Sequence, residues 1–486
     1  MRDIRPGLCK TSALALAVTL ALAGCAVGPD YVRPETQVPE HFAQAAADAN
    51  PTPSVADAEF WTRFGDARLA ALIEQALAAN NDLKVALAHY ERANAQLRGA
   101  KLDALPVITA GANGQDIRSS ADQLPGVSRE DRDTRSYDAS VGAAWELDLF
   151  GRIRRSIEAG RAYAAASAAD LAAAQVAIAG SVARTYVDLR GLQERLRVAR
   201  DNADNQRETL RLVDARVDAG GGTDFDSARA RAQLETTDAR IPALEAQIAF
   251  AMHRIAVLTG RTPDALIADL QAPAELPALP DRLDAATPGE LLRRRPDVAA
   301  AEQRLHAATA RIGVATADLF PRFTLGGLLG TQAAGTGALF ERDSKTHLLA
   351  LGVDWSFLDV GHVRARIAES GADADAALAQ YRQAVLLALE DTENALVRYA
   401  KARAEDAQLE RAAADSAAAA RLARVRYEAG AIGLLDVLDA ERSRLQAQDA
   451  FADARTRSIT GAVSLYQALA GGWPQRVPER ERVAQR

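Results

Sequence analysis

Few side chains in this chain are spaced for chemistry, and those few point away from catalysis. Six histidines stand at 41, 89, 253, 306, 347 and 362, with no metal-ligand spacing among them. They read as solvated or interfacial groups. Gly220-Gly221-Gly222 is not followed by the Lys-Ser or Lys-Thr of a phosphate loop. No nucleophile–base constellation stands out, so the chain is expected to be no enzyme and to need no metal or cofactor. Asp and Glu abound, 65 together, mostly beside Arg on helix faces as a solvated surface; among them are Asp226 and the pair Asp436 and Asp439. The pair is three residues apart and shares a helix face, and Leu435, four residues before Asp439, neighbours it. Such first-turn acids offset the helix dipole, worth about 0.3–1 kcal/mol each.

Cys25 carries a different chemistry. Arg2, Arg5 and Lys10 precede an apolar run from Ala13 to Ala23, too short for a permanent span and suited to a signal-peptide core. It ends Leu22-Ala23-Gly24-Cys25, which resembles a bacterial lipobox. That likeness implies cleavage before Cys25, S-diacylglycerol on its sulfur and an N-acyl group on the new terminus. Ala26 follows, where an Asp would suggest inner-membrane retention. Cys9 lies in the leader, so the mature chain holds one cysteine and no internal disulfide, compatible with an oxidising periplasm. The net charge of -7 gives no reason to expect nucleic acid. No later segment reaches the roughly 18 apolar residues of a transmembrane helix, so a membrane crossing must be a β-barrel.

The elements that position these residues occur twice. Trp145-Glu-Leu-Asp-Leu-Phe-Gly151-Arg-Ile-Arg154 matches Trp355-Ser-Phe-Leu-Asp-Val-Gly361-His-Val-Arg364 at an offset of 210, which also relates Ala219, Gly220 and Asp226 to Ala429, Gly430 and Asp436. Upstream, Asp82, Pro106, Thr109 and Gly111 match Asp297, Pro321, Thr324 and Gly326 at 215. Each half reads helix, strand, loop, strand, very long helix, tight turn, helix. A helix is expected over 81–104, ending before Pro106, with strands at 107–117 and 136–149. In the second strand Tyr137, Ala139, Val141, Ala143, Trp145, Leu147 and Leu149 share one face, and Ser136, Asp138, Ser140, Gly142, Ala144, Glu146 and Asp148 the other. That alternation suits a transmembrane barrel strand and equally a half-buried soluble sheet. The twin strands are expected at 322–333 and 346–358. A long helix over 151–219 carries a heptad seam at Val182, Leu189, Leu196, Ala203, Leu210 and Val217, with Thr185, Leu192, Ala199 and Val213 three residues behind members of that series, a second row interrupted by Gln206. A helix over 223–259 follows the Gly220 break. The second half repeats this with 361–429 and 434–470. At 1.5 Å per residue a long helix spans roughly 100 Å, nearly matched by two short ones end to end. Four strands cannot close a transmembrane barrel, which needs about eight, so a barrel would be shared between chains. Three copies give twelve strands.

With these elements in place the sequence resembles the outer-membrane efflux channels of the TolC and OprM type, in the NodT branch of efflux lipoproteins, over nearly the whole mature chain. Carrying the likeness are Cys25-Ala-Val-Gly-Pro-Asp-Tyr-Val-Arg-Pro34, Phe60-Trp61-Thr-Arg-Phe64-Gly-Asp66 with Leu69 and Leu72, and Tyr427-Glu-Ala-Gly430 with Leu435-Asp436-Val-Leu-Asp439-Ala440. The most specific stretch is Leu291-Leu-Arg-Arg-Arg-Pro-Asp-Val298 through Phe320-Pro321. The resemblance implies a mostly α-helical homotrimer, with a shared twelve-stranded β-barrel in the outer membrane and a long α-helical barrel across the periplasm. Residues 1–24 would be the signal peptide, 25–55 a lipidated extended segment, 56–270 and 271–470 the two repeats, and 471–486 a polar tail. Stretches 56–79, 262–293 and the tail would form a belt around the helices, and the loops 118–135 and 334–345 would face outside. The partners implied are outer-membrane lipid, a periplasmic adaptor and an inner-membrane RND-type pump, for a passive exit duct for drugs or other small toxic compounds. The constriction would be at the periplasmic tip, with Leu435, Asp436 and Asp439 forming rings of three, Asp226 as first-half partner and Tyr427 tethering neighbouring helices. A type I protein-secretion duct and a lipid-anchored coiled-coil lipoprotein are the alternatives. The second does not account for paired alternating strands in both halves.

Overall fold

A computed structural model describes residues 26–36, 38–43, 60–279 and 287–470. After a 3-10 turn at Phe60–Phe64 come α1 (Ala67–Ala79), α2 (Asn81–Leu102), β1 (Val107–Arg118), β2 (Asp133–Leu147) and α3 (Arg152–Asp218). Then follow α4 (Asp224–Asp238), α5 (Arg240–Leu258), α6 (Ile267–Leu270), α7 (Pro288–Arg294) and α8 (Pro296–Ala317). The chain completes with β3 (Arg322–Ala333), β4 (Lys345–Asp354), α9 (Val360–Glu428) and α10 (Leu434–Ala468).

The local rules explain most boundaries. Asp66 caps α1, accepting from the amides of Arg68 and Leu69 at 2.8 and 2.9 Å. Both long helices end in a left-handed glycine, Gly220 at φ +73 and Gly430 at φ +75, a conformation a Cβ would oppose. At each, two backbone amides turn back onto the last helical turn: Gly220 to Val217 and Gly221 to Arg216, Gly430 to Tyr427 and Ala431 to Arg426, at 2.8–2.9 Å. The match at a spacing of 210 carries the duplication into geometry.

Three expectations are corrected. The helix expected over 223–259 is two helices meeting at Ala239, because Pro242 has no N–H to return to the carbonyl of Asp238. β4 ends at Asp354, four residues early: the chain turns there, and the Trp355 indole donates to the Leu319 carbonyl at 3.0 Å. Stretches within α3 and within 224–258 are apolar enough by length and composition to cross a membrane. Alanine supplies much of that character, and α3 buries part of it as the seam side of a helix bundle.

The chain divides into two compact units. In one, residues 90–167 and 301–381, with the N-terminal stretch to Glu35, surround the sheet. Its order is β1-β2-β3-β4, antiparallel throughout, leaving β1 and β4 as edges. In the other, the described residues of 36–89, 168–300 and 382–470 build the main core. Phe60, Trp61, Phe64, Leu69 and Leu72 pack there against Val182, Tyr186 and Leu189 of α3 and against Ile459, Val463 and Tyr466 of α10. Phe60 stacks on Tyr466 at 4.8 Å. The heptad seam is buried at Val182, Leu189, Ala199, Ala203 and Val213. Gln206 is buried within it, with neither amide atom hydrogen-bonded.

Candidate functional site: a membrane sheet, a docked N-terminus and a helical tip

In an antiparallel ladder, directly opposed residues share a face, so the register sorts the sheet into two surfaces. Val141 lies opposite Ala110 and Leu329, Trp145 opposite Leu325, Leu147 opposite Phe323, and Leu351 and Val353 opposite Leu325 and Phe323. That face is apolar across all four strands over its helix-proximal part and turns polar toward the loops, at Asp116 opposite Arg135, His347 opposite Leu329 and Lys345 opposite Thr331. On the other, Asp138 lies opposite Asn113 and Gln332, Ser140 opposite Gly111 and Gly330, and Gly326 opposite Ala144 and Ala350. It is mostly small or polar, with Leu328 opposite Leu348, and with Val107 and Ile117 near the two ends of β1. Leu329, Leu349, Leu351 and Val353 are exposed in the single chain, which in water would cost about 25 cal/mol per Å² of apolar area. Among the described residues no helix covers these side chains, the exposure expected of a face that meets lipid.

Aromatic side chains gather where the strands meet the helices. The Trp145 indole donates to the Ala104 carbonyl at 3.1 Å as Trp355 does to Leu319, so the same bond occurs in both repeats at the offsets of 210 and 215. Phe150 stacks on Phe320 at 4.6 Å. Rings with one wet and one apolar end suit a membrane–water boundary.

The first residues after Cys25 are fastened to this unit. The Val27 amide donates to the Phe150 carbonyl at 3.1 Å. Arg155 donates to the carbonyls of Val27 and Gly28 at 3.2 and 3.3 Å and to Asp30 at 2.6 Å, and pairs with Glu158 at 2.8 Å. Glu158 in turn meets His306 at 2.9 Å, and His306 stacks on Tyr31 at 4.4 Å. Burial pushes the Glu158 carboxyl up, but hydrogen bonds from His306 and Arg155 outweigh it and leave it below the usual range. Arg33 reaches Glu302 at 2.9 Å. Cys25 itself and the leader lie outside the described residues.

The tip residues belong to the other unit. Leu435 and Asp436 open α10, and Leu435 is 54% exposed. One Asp436 carboxylate oxygen accepts the Gly433 amide at 3.1 Å. Asp226 occupies the equivalent place in α4, accepting from the Thr223 amide and hydroxyl at 3.1 and 2.7 Å. Both acids thus cap their own helices. Asp439 pairs with Arg442 one turn on. Tyr427 is buried with Val213, Leu434, Val437 and Leu438, and Arg216 of α3 lies 4.1 Å over its ring while donating to its carbonyl at 3.0 Å. Tyr427 therefore joins α9 to α3 within one chain. Sequence reading missed Glu441, whose side chain is 2% exposed between Arg424 of α9 at 2.7 Å and Thr209 of α3 at 2.9 Å. An Arg and a Glu on either side of the Gly430–Gly433 turn were the available signal.

Residues 72–261 and 287–471 match the family described as outer membrane efflux protein. The chain is 33% identical to outer membrane protein OprJ of Pseudomonas aeruginosa, over 95% of this chain and 96% of that one. It is 34% identical to the pyoverdine export outer membrane protein OpmQ of Pseudomonas putida, over 90% and 94%. Among solved structures it resembles the outer-membrane channel OprN at a TM-score of 0.87 and 42% identity, over 92% and 100%. The open state of the Neisseria gonorrhoeae MtrE outer membrane channel matches at 0.81 and 30%, over 94% and 100%. The fold, mostly helical with four strands per chain, is that of channels combining an α-helical barrel with a β-barrel. With an alternating membrane sheet, long helices and a duplicated plan matched over nearly its full length, the chain belongs to the outer membrane efflux protein family, as an efflux channel of the outer membrane extending into the periplasm.

Proposed function

We propose that three copies assemble into one duct, each contributing four strands to a twelve-stranded barrel, and that the duct is passive, with no catalytic group and no cofactor. The observation that carries this is the sheet: an apolar band across one face of all four strands and two open edges, β1 and β4. Unpaired edge groups cost several kcal/mol each in hydrocarbon, and pairing with neighbouring copies removes them. The small, polar face would then line the lumen. Cys25, acylated on sulfur and nitrogen, would add a lipid anchor beside the barrel, since Ala26 is held against Gly151 at the start of α3. The channel would receive its cargo from an inner-membrane RND-type pump through a periplasmic adaptor. Relatives are named for antibiotic, toluene and cation efflux and for pyoverdine export, which supports leaving substrate choice to the pump. The closed gate would lie at the tip, with Leu435, Asp436 and Asp439 each forming a ring of three, Asp226 beside them and Tyr427 holding α9 to α3.

Single-channel recording in planar bilayers tests the gate. Asp436→Ala with Asp439→Ala should weaken cation selectivity and block by divalent cations, and Leu435→Ala should raise conductance. Unaltered selectivity, block and conductance, with only a small loss of thermal stability, would leave Asp436 as a helix cap and Asp439 as the partner of Arg442, and nothing more.

A further inference from the structure

The Arg295-Pro296-Asp297 motif, the core of the most specific stretch in the sequence, touches neither the sheet nor the tip. Its geometry is unusually complete. A guanidinium has five N–H donors and no acceptor, and five contacts are present. Nε and Nη2 grip the two oxygens of Asp297 at 3.0 and 2.6 Å, and Nη2 also reaches Asp391 of α9 at 3.2 Å. Nη1 spans the carbonyls of Ala388, in the interior of α9, and Ala468, the last residue of α10, at 3.4 and 3.3 Å. Arg295 is buried, so these five contacts carry most of what its donors can reach.

We infer that Arg295 is a positioning residue that fixes the axial register of α9 against α10, and that closure of the tip at the far end of this helix pair depends on that register. The second half rests on the gate reading above. One nitrogen holds a carbonyl from each helix, and both bonds are already near the upper limit of hydrogen-bond range. A slip of one residue, about 1.5 Å along the axis, would break at least one. From Ala468 to Asp436 α10 is unbroken, roughly 50 Å at helical rise, so a slip at the root reaches the tip with little loss. There it would draw Arg424 of α9 away from Glu441 of α10, now 2.7 Å apart. Lysine would keep the charge but not the planar fork, and has three donors for five acceptors.

The test uses the full-length channel with Arg295→Lys. Spin labels at Glu410→Cys and Arg455→Cys, a pair facing across α9 and α10 at 3.8 Å, read the register, and bilayer conductance reads the gate. Arg295→Lys should shift or broaden the label distance by about 1–2 Å, on the order of one residue's rise, and raise resting conductance several-fold. Asp391→Ala removes only the tie to a side chain that is 59% exposed. It should move both readouts the same way by less, and it carries the test if Arg295→Lys does not fold. An unchanged label distance in every variant that folds would overturn the register assignment, whatever happens to stability. A changed distance with unchanged conductance, while Leu435→Ala raises conductance, would keep the register and overturn its coupling to the gate. If Leu435→Ala also leaves conductance unchanged, the gate reading has failed and the register stands.

Discussion

Gly28→Ala should release the N-terminal stretch from its seat. Gly28 has φ +89, and a Cβ there would lie 2.4 Å from the Gly313 Cα and 3.0 Å from the Gly313 nitrogen. Carbon atoms in good contact are about 3.5–4.0 Å apart, so the backbone must lift by about 1 Å or more. The left-handed conformation costs a residue with a Cβ about 1–2 kcal/mol, and forcing the extra methyl into a packed contact about 1–3 more. Against this stand the Val27 amide bond, about 0.5–1.5 kcal/mol, and the Tyr31–His306 stack, of similar size. Asp30 is 86% exposed, so its pair with Arg155 adds about 1 kcal/mol at most. Penalty and attraction are comparable, and at about 1.4 kcal/mol per tenfold docking weakens by one to three orders of magnitude. Hydrogen exchange at the Val27 amide reads this directly, because that N–H is bonded to Phe150 only in the docked form. Gly65→Ala is the control: φ is +65, but nothing lies within 4 Å of an added Cβ. A Val27 amide exchanging in Gly28→Ala as slowly as in the parent would refute the reasoning.

Three further outcomes are expected. Trp145→Phe and Trp355→Phe should each lower stability by about 0.5–1.5 kcal/mol, the worth of one hydrogen bond, and should add in the double variant; thermal unfolding in detergent with a negligible effect at one site would break the equivalence of the repeats. Burial pushes the Asp297 carboxyl up, but Arg295 outweighs it and holds it below its ordinary range. A carboxyl depressed by folding stabilises above its unfolded pKa and loses that contribution as pH falls through the folded value. Asp297→Asn should thus be less stable than the parent at pH 7 and flatten the loss as pH falls below the ordinary aspartate value of about 4, so an acid profile parallel to the parent's would count against the pair. Finally, Ser120→Cys, in the exposed β1–β2 loop, should react with an impermeant maleimide on intact cells, and labelling only after the outer membrane is broken would invert the topology.

The sequence by itself determined the plan. Period-two alternation, heptads, a glycine after each long helix and offsets of 210 and 215 are local signals, and local signals place elements. All four strands and both long helices lie within a few residues of where those patterns put them. The motifs quoted for the family likeness were equally visible as words, but their meaning was not. That Gly28 exists to clear Gly313, that Asp30 answers Arg155, and that Arg295 ties α9 to α10 are relations between residues 93 to 285 positions apart. Only folding supplies such neighbours. The same holds for Glu441, a charged residue on an apparently solvated helix that α3 and α9 enclose. The tip acids show the limit from the other side: their helix caps were legible because a cap is a three-residue contact. Burial and long-range hydrogen bonding are properties of the packed chain, and the tertiary structure alone decided them.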